Sequence, residues 1–262
     1  MNKILLTVFF LLVSIHFSFS QGDDPISPDR PGYTNPPSVV PLCKFQVESG
    51  FNYEYDNSAG LLTKNILEPT TLLRYGILKN FEIRIEVDIA SQSSVPLLNN
   101  GDPVIPVRGL APIIIGTKYY ICKQKNARPE TAFSLSLTLP YFGNVNFRPQ
   151  YAAPGFAFLF QNTFSEKFSI GYNAGMQWNG SDANPTSLVT FALNYNLTKK
   201  IGVFAELYSF FTKSQVPDHR SDFGLTYLVL NNLMIDVSGG PGISSISPNY
   251  FINGGISLRL PR

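Results

Sequence analysis

The chain has 262 residues, of which 20 are Lys or Arg and 18 are Asp or Glu, so its formal charge is only +2. That balance, with no basic run, excludes a nucleic-acid footprint. Charged residues make up 15%, below the roughly 25% of ordinary soluble domains, while aromatics reach 13% and Gly and Pro number 20 each.

Met1 to Ser20 begins with a positive charge at Lys3, continues with an apolar run from Ile4 to Val13, and ends in small residues at Ser18 and Ser20. This is the pattern of a secretory signal peptide cleaved before Gln21. The apolar run is shorter than the roughly 20 residues of a spanning helix. No later stretch is long and apolar enough for one, so a membrane-bound mature chain must cross with strands. Gln21 to Leu42 carries Pro25, Pro28, Pro31, Pro36, Pro37 and Pro41. Such a segment is extended, neither helix nor central strand. It reads either as a loose periplasmic lead-in or as a plug in a barrel mouth, with Asp29 and Arg30 docked on lumen charges.

Residues 43–262 read as twelve strands. The first, Cys43 to Tyr55, sets Phe45, Val47, Phe51 and Tyr53 against Lys44, Gln46, Glu48 and Glu54. The second, Leu67 to Ile77, sets Leu73, Tyr75 and Ile77 against Glu68, Thr70 and Arg74. The third, Phe81 to Ile89, alternates strictly: Phe81, Ile83, Ile85, Val87 and Ile89 against Glu82, Arg84, Glu86 and Asp88. A period of two is a strand with one apolar and one polar face. The fourth, Ala111 to Ile121, places Lys118 opposite Ile113, Ile115, Tyr119 and Ile121. The fifth to eighth (Thr131 to Tyr141, Gly155 to Phe164, Phe168 to Trp178, Ser187 to Leu197) have polar faces of Ser, Thr, Asn, Gln, Gly and Ala only. The ninth, Ile201 to Phe211, is weaker, with Glu206 opposite Val203, Ala205 and Leu207. The last three, Ser221 to Val229, Leu233 to Gly239 and Asn249 to Leu260, contribute Asp222, Asp236 and Arg259 to the polar face.

The connections choose the environment. Those after strands two, six, eight and ten are tight, as in Leu78-Lys79-Asn80. Those after the odd strands are longer, with Asp56 to Ile66, Ala90 to Leu110 and Phe142 to Pro154 the longest. Cys122 to Glu130 is the exception, long on the short-turn side. Short turns at one end and long loops at the other, with an even strand count, mark an outer-membrane barrel. Aromatics near strand ends fit interfacial girdles. A soluble sandwich needs more Lys and Glu on the polar faces of strands five to eight. The expected fold is all-β: a closed antiparallel transmembrane β-barrel of twelve strands in a Gram-negative outer membrane. Cys43 and Cys122, three strands apart, suit neither a metal cluster nor a disulfide framework.

Asp29-Arg30-Pro31-Gly32-Tyr33-Thr34, then Val40-Pro41, then Phe45-Gln46-Val47-Glu48-Ser49-Gly50-Phe51 resembles the opening of the MetA-pathway phenol-degradation or transporter family, in its Bacteroidetes type. The close resemblance covers about thirty residues. Cys43 stands where the pattern has Gly, and the chain ends Leu260-Pro261-Arg262 rather than on an aromatic. The resemblance implies a barrel that moves small, often hydrophobic or aromatic, compounds.

The lumen-lining candidates are Glu48, Arg74, Glu82, Arg84, Glu86, Asp88, Lys118, Glu206, Asp222, Asp236 and Arg259. One wall is charged, with acids in excess, and the other neutral. The bland reading is a ladder of ion pairs, Arg74 and Arg84 with Glu82 and Glu86, worth about 0.2–1 kcal/mol each. The functional reading is a strip that guides a solute or holds the plug, with Arg30 on Glu82, Glu86 or Asp88. Catalysis is not expected: His219, in the loop Thr212 to Arg220 beside Asp218, has no identifiable nucleophile. Gly239-Gly240-Pro241-Gly242 lacks the Lys-Ser/Thr and the helix of a phosphate loop. No cofactor is implied. The expected partners are outer-membrane lipid, the assembly machinery and a small hydrophobic solute. The alternative to transport is a structural or surface-interaction barrel.

Overall fold

The computed structural model describes residues 24–58, 61–96 and 105–260. The proposed signal peptide lies outside them. Fourteen strand segments form one sheet: β1 (Phe45–Ser58), β2 (Leu61–Leu78), β3 (Phe81–Glu86), β4 (Ile89–Pro96), β5 (Val107–Leu110), β6 (Ile114–Cys122), β7 (Glu130–Thr138), β8 (Ala153–Thr163), β9 (Phe168–Gln177), β10 (Thr186–Asn196), β11 (Ile201–Thr212), β12 (Asp218–Leu230), β13 (Leu233–Pro241) and β14 (Tyr250–Leu260). All pairings between them are antiparallel, and β1 pairs with both β2 and β14, which closes the sheet.

The fourteen segments make a barrel of twelve strands. Both β3 and β4 pair with β2, so they are one strand interrupted at Val87 and Asp88. Likewise β5 and β6 form the next strand, interrupted at residues 111–113, where the Ala111 amide donates to the Asp88 carbonyl at 2.8 Å. Closure leaves no edge strand to protect.

The barrel is inside out relative to a soluble protein. Leu207 (56% exposed) and Phe223 (59%) point outward, as do Ile83, Ile85, Leu135, Val189 and Ile235. Glu82 and Lys118 are fully buried at 0%, and Glu48 and Arg74 nearly so. Such an apolar exterior suits lipid and not water. Aromatic pairs stand at both rims, Phe164 on Phe168 at the tight-turn end and Tyr55 on Tyr250 at the other. Among the described residues no helix is long and apolar enough to cross a membrane.

Two loop assignments change. Asp56 to Ile66 is mostly strand, because β1 runs to Ser58 and β2 begins at Leu61. The Ala90 to Leu110 connection is also largely strand at its two ends, in β4 and β5. The β1–β2 register shifts between Gly50 and Asn52, which hides the alternation. An extra residue at a bulge exchanges the inward and outward sets. Glu68, beside this shift, is exposed rather than lumen-buried.

Candidate functional site in the barrel lumen

The lumen is occupied by the chain's own N-terminal segment. It starts at the tight-turn end, where the Ile26 amide donates to the Asn231 carbonyl at 2.7 Å and Arg259 donates to the Asp24 carbonyl. It returns to the same end, where the Cys43 amide donates to the Gly76 carbonyl at 2.8 Å. Between these points it makes an excursion into the barrel, and Arg30 to Asn35 form its tip.

The root of this excursion rests on the charged wall. Strand register sets Arg74 directly opposite Arg84, and Glu82 opposite Lys118. Like charges directly opposed are destabilising. Asp29 resolves this conflict. Its carboxylate lies 3.1 Å from Arg74, 2.5 Å from Arg84 and 2.7 Å from Lys118. Arg74 also bonds Glu48 at 2.7 Å and Glu82 at 2.9 Å. Three cations thus face three anions, Asp29, Glu48 and Glu82, one of which belongs to the inserted segment. Burial alone raises the Asp29 carboxyl; the charges of Arg74, Arg84 and Lys118 outweigh it and hold that group far below the usual carboxylate range.

Backbone groups of the segment complete the network. Glu48 accepts from the Asp29 and Arg30 amides at 2.9 and 3.2 Å, and Glu82 accepts from the Val40 amide at 2.6 Å. Lys118 donates to the Pro36 carbonyl at 3.1 Å. These charge-assisted bonds are the strong class. They also satisfy an irregular backbone that the strands cannot pair.

Arg30 does not reach Glu82, Glu86 or Asp88. It bonds Asp236 and Thr70, each at 3.2 Å. The reason is space: Gly50 and Gly255 face each other across β1 and β14, and a Cβ at Gly255 would lie 2.5 Å from the Arg30 Nε. The glycine pair makes a recess that takes the guanidinium. The ion-pair ladder is also amended. Arg84 turns to Asp29, with Glu82 at 3.6 Å, and no salt bridge among the described residues involves Glu86. Asp88 accepts from the Thr71 amide at 2.9 Å at the strand interruption.

The tip rests on the opposite wall. Glu206 accepts from the Tyr33 amide at 2.8 Å and from the Thr34 hydroxyl at 2.5 Å. Thr34 also lies 2.7 Å from the Thr190 hydroxyl. The Asn173 side-chain amide, oriented to satisfy both groups, accepts from the Asn35 amide at 2.7 Å and donates to its carbonyl at 3.2 Å. Tyr33 stacks on Tyr208 at 4.6 Å and meets Phe210 edge-on at 5.4 Å. Asp222, directly opposite Glu206 on β12, is buried in the wall.

Thr190, Asn173, Tyr208 and Phe210 were not candidates in the sequence. One signal for the last two exists: β11 is apolar on both faces, so its inner face needs a cover. Nearer the long-loop end, Arg220 bonds Glu54 at 2.8 Å and Asp218 at 2.7 Å. His219 is in β12 rather than in a loop, and its Nδ1 lies 2.7 Å from the Ser209 Oγ across the strand pair. The neighbouring Asp218 carboxylate is bonded to Arg220 and Ser247, not to the imidazole. A nucleophile–base pair without an orienting third group is not a triad. Cys43 and Cys122 are both free. Among the described residues no group of three or more His, Cys, Asp or Glu could hold a metal ion.

A closed, inside-out barrel with polar side chains lining an occupied lumen defines the chain as a β-barrel of the outer-membrane type. It belongs to the family described as "Putative MetA-pathway of phenol degradation", whose pattern matches residues 28–260. The fold is similar to that of the COG4313 outer membrane channel from Pseudomonas putida F1, at TM-score 0.63 and 10% identity, covering 88% of this chain and 99% of that one. It is also similar to the KdgM porin, at TM-score 0.51 and 13% identity, covering 80% and 98%. The translocator domain of the autotransporter NalP from Neisseria meningitidis matches at TM-score 0.52 and 10% identity, covering 84% and 90%. No curated protein matches the chain.

Proposed function

We propose that the protein is a plugged outer-membrane channel for small molecules, with residues 24–43 as the plug. The observation that carries this reading is Asp29. A carboxylate on the inserted segment supplies the counter-charge for Arg74, Arg84 and Lys118 on the wall. In this reading residues 1–20 direct export across the Gram-negative inner membrane. The assembly machinery inserts the barrel, and the outward Ile, Leu and Phe side chains meet outer-membrane lipid. The N-terminal motif supports the Bacteroidetes type, and the family description supports a small, hydrophobic or aromatic solute.

One feature favours the structural or surface-interaction alternative. At 18 residues, β2 is much longer than the roughly 9–11 residues of a tilted crossing. The β1–β2 hairpin therefore projects past the bilayer as a folded surface element. Single-channel recording separates the two readings, run on the mature chain and on a chain starting at Leu42. Steady conductance only after truncation supports the plugged channel. Steady conductance in the mature chain means an open pore. Silence in both, with folding verified by gel mobility before and after heating, favours the surface role.

A further inference from the structure

A cavity of about 220 Å³ remains between the plug and the wall formed by β8 to β13. Gln161, Ser169, Asn194 and Thr226 supply its polar wall lining, and Phe204 and Met234 supply apolar surface. Most of these lie close to the tight turns, so the cavity sits at that end of the lumen. The way past it is closed by the plug tip, through Thr34 on Thr190 and Asn35 on Asn173.

The charged groups that border the cavity are already paired or hydrogen-bonded, although the Arg30 Nε has no hydrogen-bond partner. Asp29 is surrounded by three cations, Arg30 is bonded to Asp236, and Glu206 accepts from Tyr33 and Thr34. An entering ion would lose its hydration without finding a free counter-charge. Among the described residues, by contrast, no side-chain hydrogen bond engages Ser169 or Asn194, whose polar atoms remain for a ligand. At ~30 Å³ per water the space equals about seven waters, which suits a short molecule with one polar head.

We propose that this cavity binds a small uncharged amphiphile: an amide or hydroxyl head on a short apolar tail. The head meets Ser169 and Asn194, and the tail meets Phe204 and Met234. The inference deepens the plugged-channel reading and rests on it for its meaning as a waiting site behind the plug tip. Binding itself needs no conduction.

The test is saturation-transfer NMR on the refolded mature chain in detergent, with empty micelles subtracted. The ligands are butyramide, butyrate and butylammonium. Butyramide is expected to bind about tenfold more strongly than either ion, a difference of about 1.4 kcal/mol. Ala192→Leu, which fills the cavity, abolishes the butyramide signal, and Ser169→Leu serves if that variant fails to fold. Equal signals from all three ligands, or a butyramide signal that survives both fillings, overturn the proposal. A truncated chain that conducts while butyramide shows no preference sinks the site and spares the plug. A truncated chain that stays silent sinks the plug and leaves the binding result to stand on its own.

Discussion

Asp29→Asn is the sharpest perturbation of the lumen. The substitution keeps the shape and removes one charge. The wall and plug then hold Arg74, Arg84 and Lys118 against only Glu48 and Glu82, leaving one uncompensated positive charge. The Lys118 and Arg74 side chains are fully buried. Breaking a buried pair on one side costs about 3–5 kcal/mol. At about 1.4 kcal/mol per decade, plug docking weakens by roughly two to three and a half orders of magnitude. In planar bilayers the variant should show openings that reach the conductance of the chain starting at Leu42. Adding Lys118→Met restores neutrality, and the double variant should close again. If Asp29→Asn stays as silent as the parent while the truncated chain conducts, the Asp29 cluster does not hold the plug.

The same cluster sets a pH window. A carboxyl depressed in the docked state contributes stability that is fully present above its free value of about 3.9 and is lost as pH falls through its docked value. Because Asp29 lies far below the usual range, its contribution should hold the plug from neutral pH down to about pH 4. Below that it should weaken, as read by protease cleavage of residues 24–43. At Gly255, an added Cβ would meet the Arg30 guanidinium at 2.5 Å and the Ser49 carbonyl at 2.6 Å. Gly255→Ala should lower stability by about 1–3 kcal/mol in heat-modifiability assays, with a smaller loss in the chain starting at Leu42. On the outer face, Phe223→Arg near the middle of β12 should cost about 2–4 kcal/mol and reduce folding into liposomes.

The barrel was legible because period-two alternation and loop asymmetry are local signals. The third strand, Phe81 to Ile89, shows its two faces without any partner. Legibility failed where backbone irregularity broke the period, at Gly50–Asn52 and beside Glu68. There the apolar set changes sides, and the stretch beyond it, Asp56 to Ile66, reads as loop although it is mostly strand. Lumen candidates followed from parity, and Glu48, Arg74, Glu82 and Lys118 share one buried network. Their pairings did not follow. Which carboxylate Arg30 meets depends on the glycine recess between β1 and β14, a long-range contact between residues some two hundred positions apart. Thr190, Asn173 and Tyr208 were invisible for a related reason: they matter only because a distant segment lies against them.

The chemistry of the plug's seat bears on why it could leave. A plug seated on an apolar wall would expose hydrocarbon on release, at about 25 cal/mol per Å². This one is seated largely by carboxylates, hydroxyls and backbone amides, with Ile26, Pro37 and Val40 as its buried apolar side chains and Tyr33 stacked on Tyr208. On release these groups exchange protein partners for water, and the net value of such a bond is only about 0.5–1.5 kcal/mol. The charged cluster follows the same logic, since desolvation offsets much of the attraction between buried ions. A released state would therefore lie closer in free energy to the docked one than the number of polar contacts suggests. The link to β1 at Phe45 would keep a released segment at the mouth, so that re-entry would be intramolecular. A twelve-stranded lumen lies between the eight-stranded case that fills itself and the wide porins that hold water. A polar, tethered segment fills that intermediate space without committing the barrel to staying closed.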